Sequence, residues 1–94
     1  MSLFISYTPK GTIYLKMDIV SFRNEEHLVY QDISEGSVYV RKSTDFEKFE
    51  DLGNEIEYHL PELKDEVPCK VKIDGEWKAA TWLKSKSKIK DVDM

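Results

Sequence analysis

The chain has 94 residues, 40% of them hydrophobic and 34% charged, a size suited to one domain with one modest core and too apolar for a disordered segment. Its formal net charge of -4 gives no overall pull toward DNA or an anionic bilayer. No apolar run approaches the roughly 18 residues that cross a membrane, so no membrane association is expected.

No basic stretch precedes Leu3-Phe4-Ile5 and Lys10 follows soon after, so the N-terminus does not read as a signal peptide; Met1-Ser2-Leu3 is also compatible with a cloning remnant. Thr8-Pro9-Lys10-Gly11 is a turn, with φ fixed by the proline and positive φ open to the glycine. From Thr12 to Phe22, the residues Ile13, Leu15, Met17 and Ile19 alternate with Tyr14, Lys16 and Asp18, the period of a half-buried strand. Arg23-Asn24-Glu25-Glu26 is a polar break, and His27 to Ile33 reads as a second strand. Ser34-Glu35-Gly36-Ser37 is a tight turn before a third strand, Val38-Tyr39-Val40-Arg41.

Ser43 or Thr44 is placed to cap a short helix over about 45–52, with Phe46, Phe49 and Leu52 near helical spacing and Gly53 as its stop. Residues 54–64 fit two patterns. Ile56, Tyr58 and Leu60 suit a strand, Ile56, Leu60 and Leu63 suit a helix, and Pro61 weakens both. Pro68 to Ile73 and Glu76 to Leu83 flank Asp74-Gly75, a hairpin signal. A two-residue loop pairs Ile73 with Glu76 and Val71 with Lys78. A glycine-bulge turn pairs Val71 with Trp77 and Cys69 with Ala79, and is preferred because it sets apolar residues together. It also places Trp82 and Ala80 on the opposite face from Trp77. Lys84, Lys86, Lys88 and Lys90 form either a charged edge strand or a frayed tail.

The expected fold is mostly β: a small SH3-like barrel or bent antiparallel sheet, with one short helix and a C-terminal hairpin. The alternative is an α+β sandwich in which 54–64 joins the helix. The whole chain is one domain.

Charge is unevenly spread. Residues 43–67 carry about -7 and residues 68–94 about +3. Cys69 has no cysteine partner within the chain, which argues for a reducing, cytoplasmic setting.

Three stretches together resemble a bacterial and phage family, a domain of unknown function (the sixteen-fifty-three domain). They are Lys10-Gly11-Thr12-Ile13-Tyr14, Glu25-Glu26-His27-Leu28-Val29-Tyr30, and Tyr39-Val40-Arg41-Lys42 with Phe46 five residues after the arginine. The match covers about residues 7–50. Lys42 stands where the family prefers proline, and Asp18 to Asn24 replace a glycine- and histidine-containing segment. The resemblance implies an SH3-type barrel and carries no established activity.

No catalytic or metal motif stands out. His27 and His59 are 32 residues apart without further ligands at zinc spacing. Cys69 alternates with lysines on a strand and reads as a buried thiol rather than a nucleophile. Asp45, Glu47, Glu50 and Asp51 read as a solvated acidic face, since no calcium-loop spacing is present. The acidic band to Glu66 also suits a basic partner or a DNA-mimicking surface. Gly11, Gly36, Gly53 and Gly75 stand singly and cannot cradle a phosphate. The expectation is therefore a non-enzymatic binding or adaptor module without a cofactor.

If Ile13, Leu15, Val29, Val38 and Val40 point inward, Tyr30, Tyr39 and Arg41, with Trp82, line an outward binding face. The competing reading is that these aromatics pack a second small core, with Arg41 as a structural anchor. A protein partner is expected. Nucleic acid, met by the aromatics and the C-terminal lysines, is the alternative, and dimerisation through a sheet edge is a further option.

Overall fold

The computed structural model describes residues 3–93. Met1 and Ser2 lie outside the described residues, and with them the reading of a cloning remnant. Eight strands run in chain order: β1 (Phe4–Tyr7), β2 (Thr12–Phe22), β3 (Glu25–Asp32), β4 (Val38–Lys42), β5 (Phe49–Gly53), β6 (Glu66–Ile73), β7 (Glu76–Leu83) and β8 (Lys88–Lys90). They form one sheet in the order β5-β1-β2-β3-β4-β6-β7-β8. The sheet is bent, bringing β8 back against β2, but it does not close into a barrel.

Every neighbouring pair is antiparallel except β4 and β6, which run parallel and are joined at Tyr39↔Lys70 and Val40↔Val71. The crossover that a parallel pair requires is supplied by β5 and the irregular residues 54–65.

Directly paired residues share a face, so the register sorts the side chains. One face gathers Val20, Val29, Val38, Val40, Val67, Cys69, Val71, Ala80 and Trp82 into the buried core. Leu63, Ile89 and Val92 pack against it. Tyr58 covers Phe4 edge-on at 5.5 Å. The ambiguous segment 54–64 is thus neither helix nor strand, and it lies over this valine face.

Three expectations are corrected. The helix over 45–52 is absent: among the described residues the helical content is the short 3-10 turn Lys84–Lys86. Two tight turns take its place, with the Asp45 amide donating to Lys42 O and the Phe49 amide to Phe46 O. The three-residue spacing of Phe46 and Phe49 brings their rings to 4.8 Å across a turn that leads into β5. This also removes the α+β alternative.

The hairpin takes the two-residue loop, pairing Ile73↔Glu76, Val71↔Lys78 and Cys69↔Ala80. Asp74 and Gly75 both have positive φ (50° and 82°), the conformation that matches strand twist in a two-residue hairpin. The glycine bulge is unnecessary because Val67, Cys69 and Val71 already share a buried face with Ala80 and Trp82.

The third correction is in β2. Lys16 opposes Tyr30 and Asp18 opposes Val29, so Met17 is an extra residue. A bulge of this kind reverses the alternation beyond it. Val20 is therefore buried, while Ile19 is turned to the other face and is 51% exposed.

The lysine-rich end is ordered as an edge strand. Lys90 bonds Glu66 at 2.6 Å, an exposed pair that lowers the carboxyl's pKa and raises the ammonium's.

Candidate interaction face

The second face of the sheet carries the aromatics. Tyr7 and Phe49 pair across β1 and β5, Tyr30 and Tyr39 across β3 and β4, and Lys72 and Trp77 across β6 and β7. Strand alternation thus brings Tyr30, Tyr39 and Arg41 to one face as the sequence suggested. That face is covered by its own rings. Tyr14 stands edge-on to Tyr30 and Tyr39 at 4.9 and 6.1 Å, and Tyr39 stacks on Tyr30 at 5.8 Å. Phe46 and Phe49 close over Tyr30 from the turn and β5.

Arg41 lies within this cluster, its side chain 12% exposed. Its Nε donates to the Tyr30 hydroxyl at 2.9 Å, and its Nη1 donates to Asp45 Oδ2 at 3.2 Å. The guanidinium sits 5.1 to 5.7 Å from the ring centres of Phe49, Trp77 and Tyr7. Such stacking suits a planar, weakly hydrated cation and not an ammonium. Lys72 Nζ reaches the same Asp45 oxygen at 3.5 Å. Burial raises the Tyr30 phenol above its ordinary range, against the opposing pull of Arg41, so the hydroxyl stays neutral. Tyr14 is also raised, by burial first and then by the Asp32 carboxylate.

Three of the four expected contact residues, Tyr30, Trp82 and Arg41, therefore are not outward-facing. Tyr30 is 2% exposed under the cluster, and Trp82 is 1% exposed in the valine core on the opposite side of the sheet. Trp82 sits there because it pairs with Val67 on β6, whose partner face is apolar. Tyr39 is half-buried and Arg41 is an internal anchor. The tryptophan that does meet water on this face is Trp77, packed edge-on against Tyr39 at 5.3 Å. The hairpin register carried that signal, since Trp77 and Trp82 are five apart and so point to opposite faces.

Next to the cluster lies an open groove of about 760 Å³. Ile5 and Leu28 form its floor, Phe46 and Phe49 its wall, and Leu3 and Ile19, each 51% exposed, its mouth. Its rim holds Asp18, Glu26, Glu50 and Asp51 with one cation, Lys16, which lies 3.6 Å from Asp51. Sequence alternation missed Ile19 here because it placed that residue on the core face with Leu15. The adjacent apolar pair Ile19-Val20 was the available sign of a break in period.

The other titratable candidates are separate from this face. Cys69 is buried, and desolvation pushes its thiol up to about 11, far from the depressed value of a nucleophile. His27 is buried edge-on to Phe22 at 5.3 Å, its Nδ1 3.0 Å from the Glu25 carbonyl oxygen. His59 is exposed in the irregular segment. Among the described residues no three His, Cys, Asp or Glu side chains converge as metal ligands, and no helix is long and apolar enough to cross a membrane. Comparison with family models, curated proteins and solved structures finds no match to this chain.

Proposed function

We propose that the chain is a protein-binding module whose contact surface is the groove beside the aromatic cluster. The supporting observation is two large aliphatic side chains, Leu3 and Ile19, held half in water at the mouth of an apolar cleft. Ile19 is brought there by a β-bulge, and bulges re-aim side chains at functional edges. The Arg41 cluster supports the wall from behind, through Phe46 and Phe49. In this reading Tyr30 and Arg41 position the surface and do not touch the partner.

The test is a pull-down with the full chain and an Ile19→Asp variant, in nuclease-treated and untreated arms. The reading expects a protein captured by the parent and lost with Ile19→Asp, indifferent to nuclease. Equal capture by both chains overturns it.

A nucleic-acid reading has one observation in its favour. Trp77, the exposed ring, is paired with Lys72, and Lys70 lies beside it on the same face. It expects oligonucleotide binding that falls steeply with salt and disappears in Trp77→Ala. A blank gel shift at low salt ends it.

A further inference from the structure

We propose that the groove's partner is a basic amphipathic segment, one apolar stripe flanked by Lys or Arg; this inference rests on the protein-binding reading above. The floor and the rim make opposite demands. Ile5, Leu28 and Phe46 offer only apolar contact, so an occupant must bring aliphatic or aromatic side chains to displace water. The rim has four carboxylates to one lysine. Among the described residues Lys16 is engaged with Asp51 and Asp18 Oδ1 accepts the Ile19 amide at 2.8 Å, while Glu26 and Glu50 are exposed at the rim. An acidic or neutral apolar segment would leave those carboxylates facing its backbone without compensation. A segment with cations beside its apolar stripe satisfies both parts at once, with the charges adding to encounter rate and register. The cleft takes a few side chains, as in helix-in-groove recognition, rather than a broad globular surface.

The probe is a designed, dye-labelled peptide of about four helical turns with Leu at i, i+3, i+4 and i+7 and Lys elsewhere. A Glu-for-Lys version and a scrambled version are its controls. Fluorescence anisotropy with the full chain should show binding of the Lys peptide, weaker binding of the scrambled one and none of the Glu one. Charge reversal at Glu26→Lys with Glu50→Lys, both exposed and outside the core, should weaken the Lys peptide roughly tenfold. Glu57→Lys, in the irregular segment away from the groove, should not.

If the Glu peptide binds as tightly, or the double reversal changes nothing, the basic-partner inference falls while the groove stands. If Glu57→Lys weakens binding as much as the rim reversal, the attraction is only net charge and the inference also falls. If Ile19→Asp leaves every peptide bound, the groove reading itself fails, independently of the partner's charge.

Discussion

Arg41 on β4, registered with Leu28, reaches diagonally to Tyr30 on β3, and the guanidinium Nε–H donates to the phenol oxygen at 2.9 Å. Neither group is free to greet a ligand. The tyrosine lies beneath four other rings, and the arginine is shared between its hydroxyl and the carboxylate of Asp45. The pair converts what would be an apolar second face into a specified one, because a buried donor must find its acceptor.

Removing one half of that bond should cost more than removing the outer ion pair. Tyr30→Phe leaves the Arg41 Nε–H without its acceptor and should destabilise the chain by about 1–2 kcal/mol. Arg41→Ala also removes the stacked stem and should cost about 2–4 kcal/mol. Asp45 is half-exposed, so Asp45→Asn should cost less than about 1 kcal/mol. Urea melts of the three variants check the order; Asp45→Asn emerging as the worst would refute it.

The two tryptophans should report on opposite faces. Iodide should quench Trp77 and leave Trp82 untouched, since one meets water and the other is sealed. Trp77→Phe should leave only blue-shifted, unquenchable emission with little loss of stability. Trp82→Ala should cost about 3–5 kcal/mol. Quenching that persists in Trp77→Phe would show that the valine core is open.

Cys69 sets an alkaline limit. Its thiol rises from an ordinary 9.0 to about 11 on burial, so the unfolded chain ionises first. The contribution to folding is complete below about pH 9 and is lost as pH climbs toward 11, an upper bound of about 3 kcal/mol. Tyr30 adds a similar loss starting above its ordinary 10.0. Cys69→Ala should therefore flatten the stability profile between pH 9 and 10 and keep the steeper fall beyond it. The folded parent should resist a thiol reagent at neutral pH and yield one thiol after denaturation.

The Asp74-Gly75 turn should tolerate asparagine and reject alanine. Asp74→Asn keeps a residue that accepts positive φ and should stay within about 0.5 kcal/mol of the parent. Gly75→Ala forces a Cβ into φ 82° and should cost about 1 kcal/mol. A glycine-bulge turn would hold Asp74 at negative φ and tolerate Asp74→Val, whereas the observed φ of 50° should make that change cost about 1–2 kcal/mol, so this third melt checks the register.

Period-two alternation was a dependable guide where the strands are regular. Thr12–Phe22, Val38 to Arg41 and Glu76–Leu83 follow from it almost to the residue. It failed at Met17, because alternation read along one strand cannot register an extra residue that only the partner strand reveals. It also says which residues share a face without saying what covers that face. Tyr30 shares the side of Tyr39, yet the turn at 43–48 and β5 roof it over. The supposed helix failed because Phe46 and Phe49 satisfy a spacing of three in a turn as readily as in a helical coil. Phe4–Tyr7 escaped notice because four residues are too short a run to show a period, although it joins β2 to the edge strand β5.

The parallel junction of β4 and β6 joins two meanders, β1 to β4 and β6 to β8, with β5 added at the free edge of β1. Each hairpin within a meander closes over a short loop and can form rapidly; β5 must reach β1 from more than forty residues away but gains four registered pairs, whereas the junction gathers residues some thirty apart for only two. The order of assembly follows: the hairpins come first, and the joining of the halves, with Val40 meeting Val71, is the late and rate-setting event. Mutations at that seam should slow the chain's return from denaturant far more than they hasten its departure.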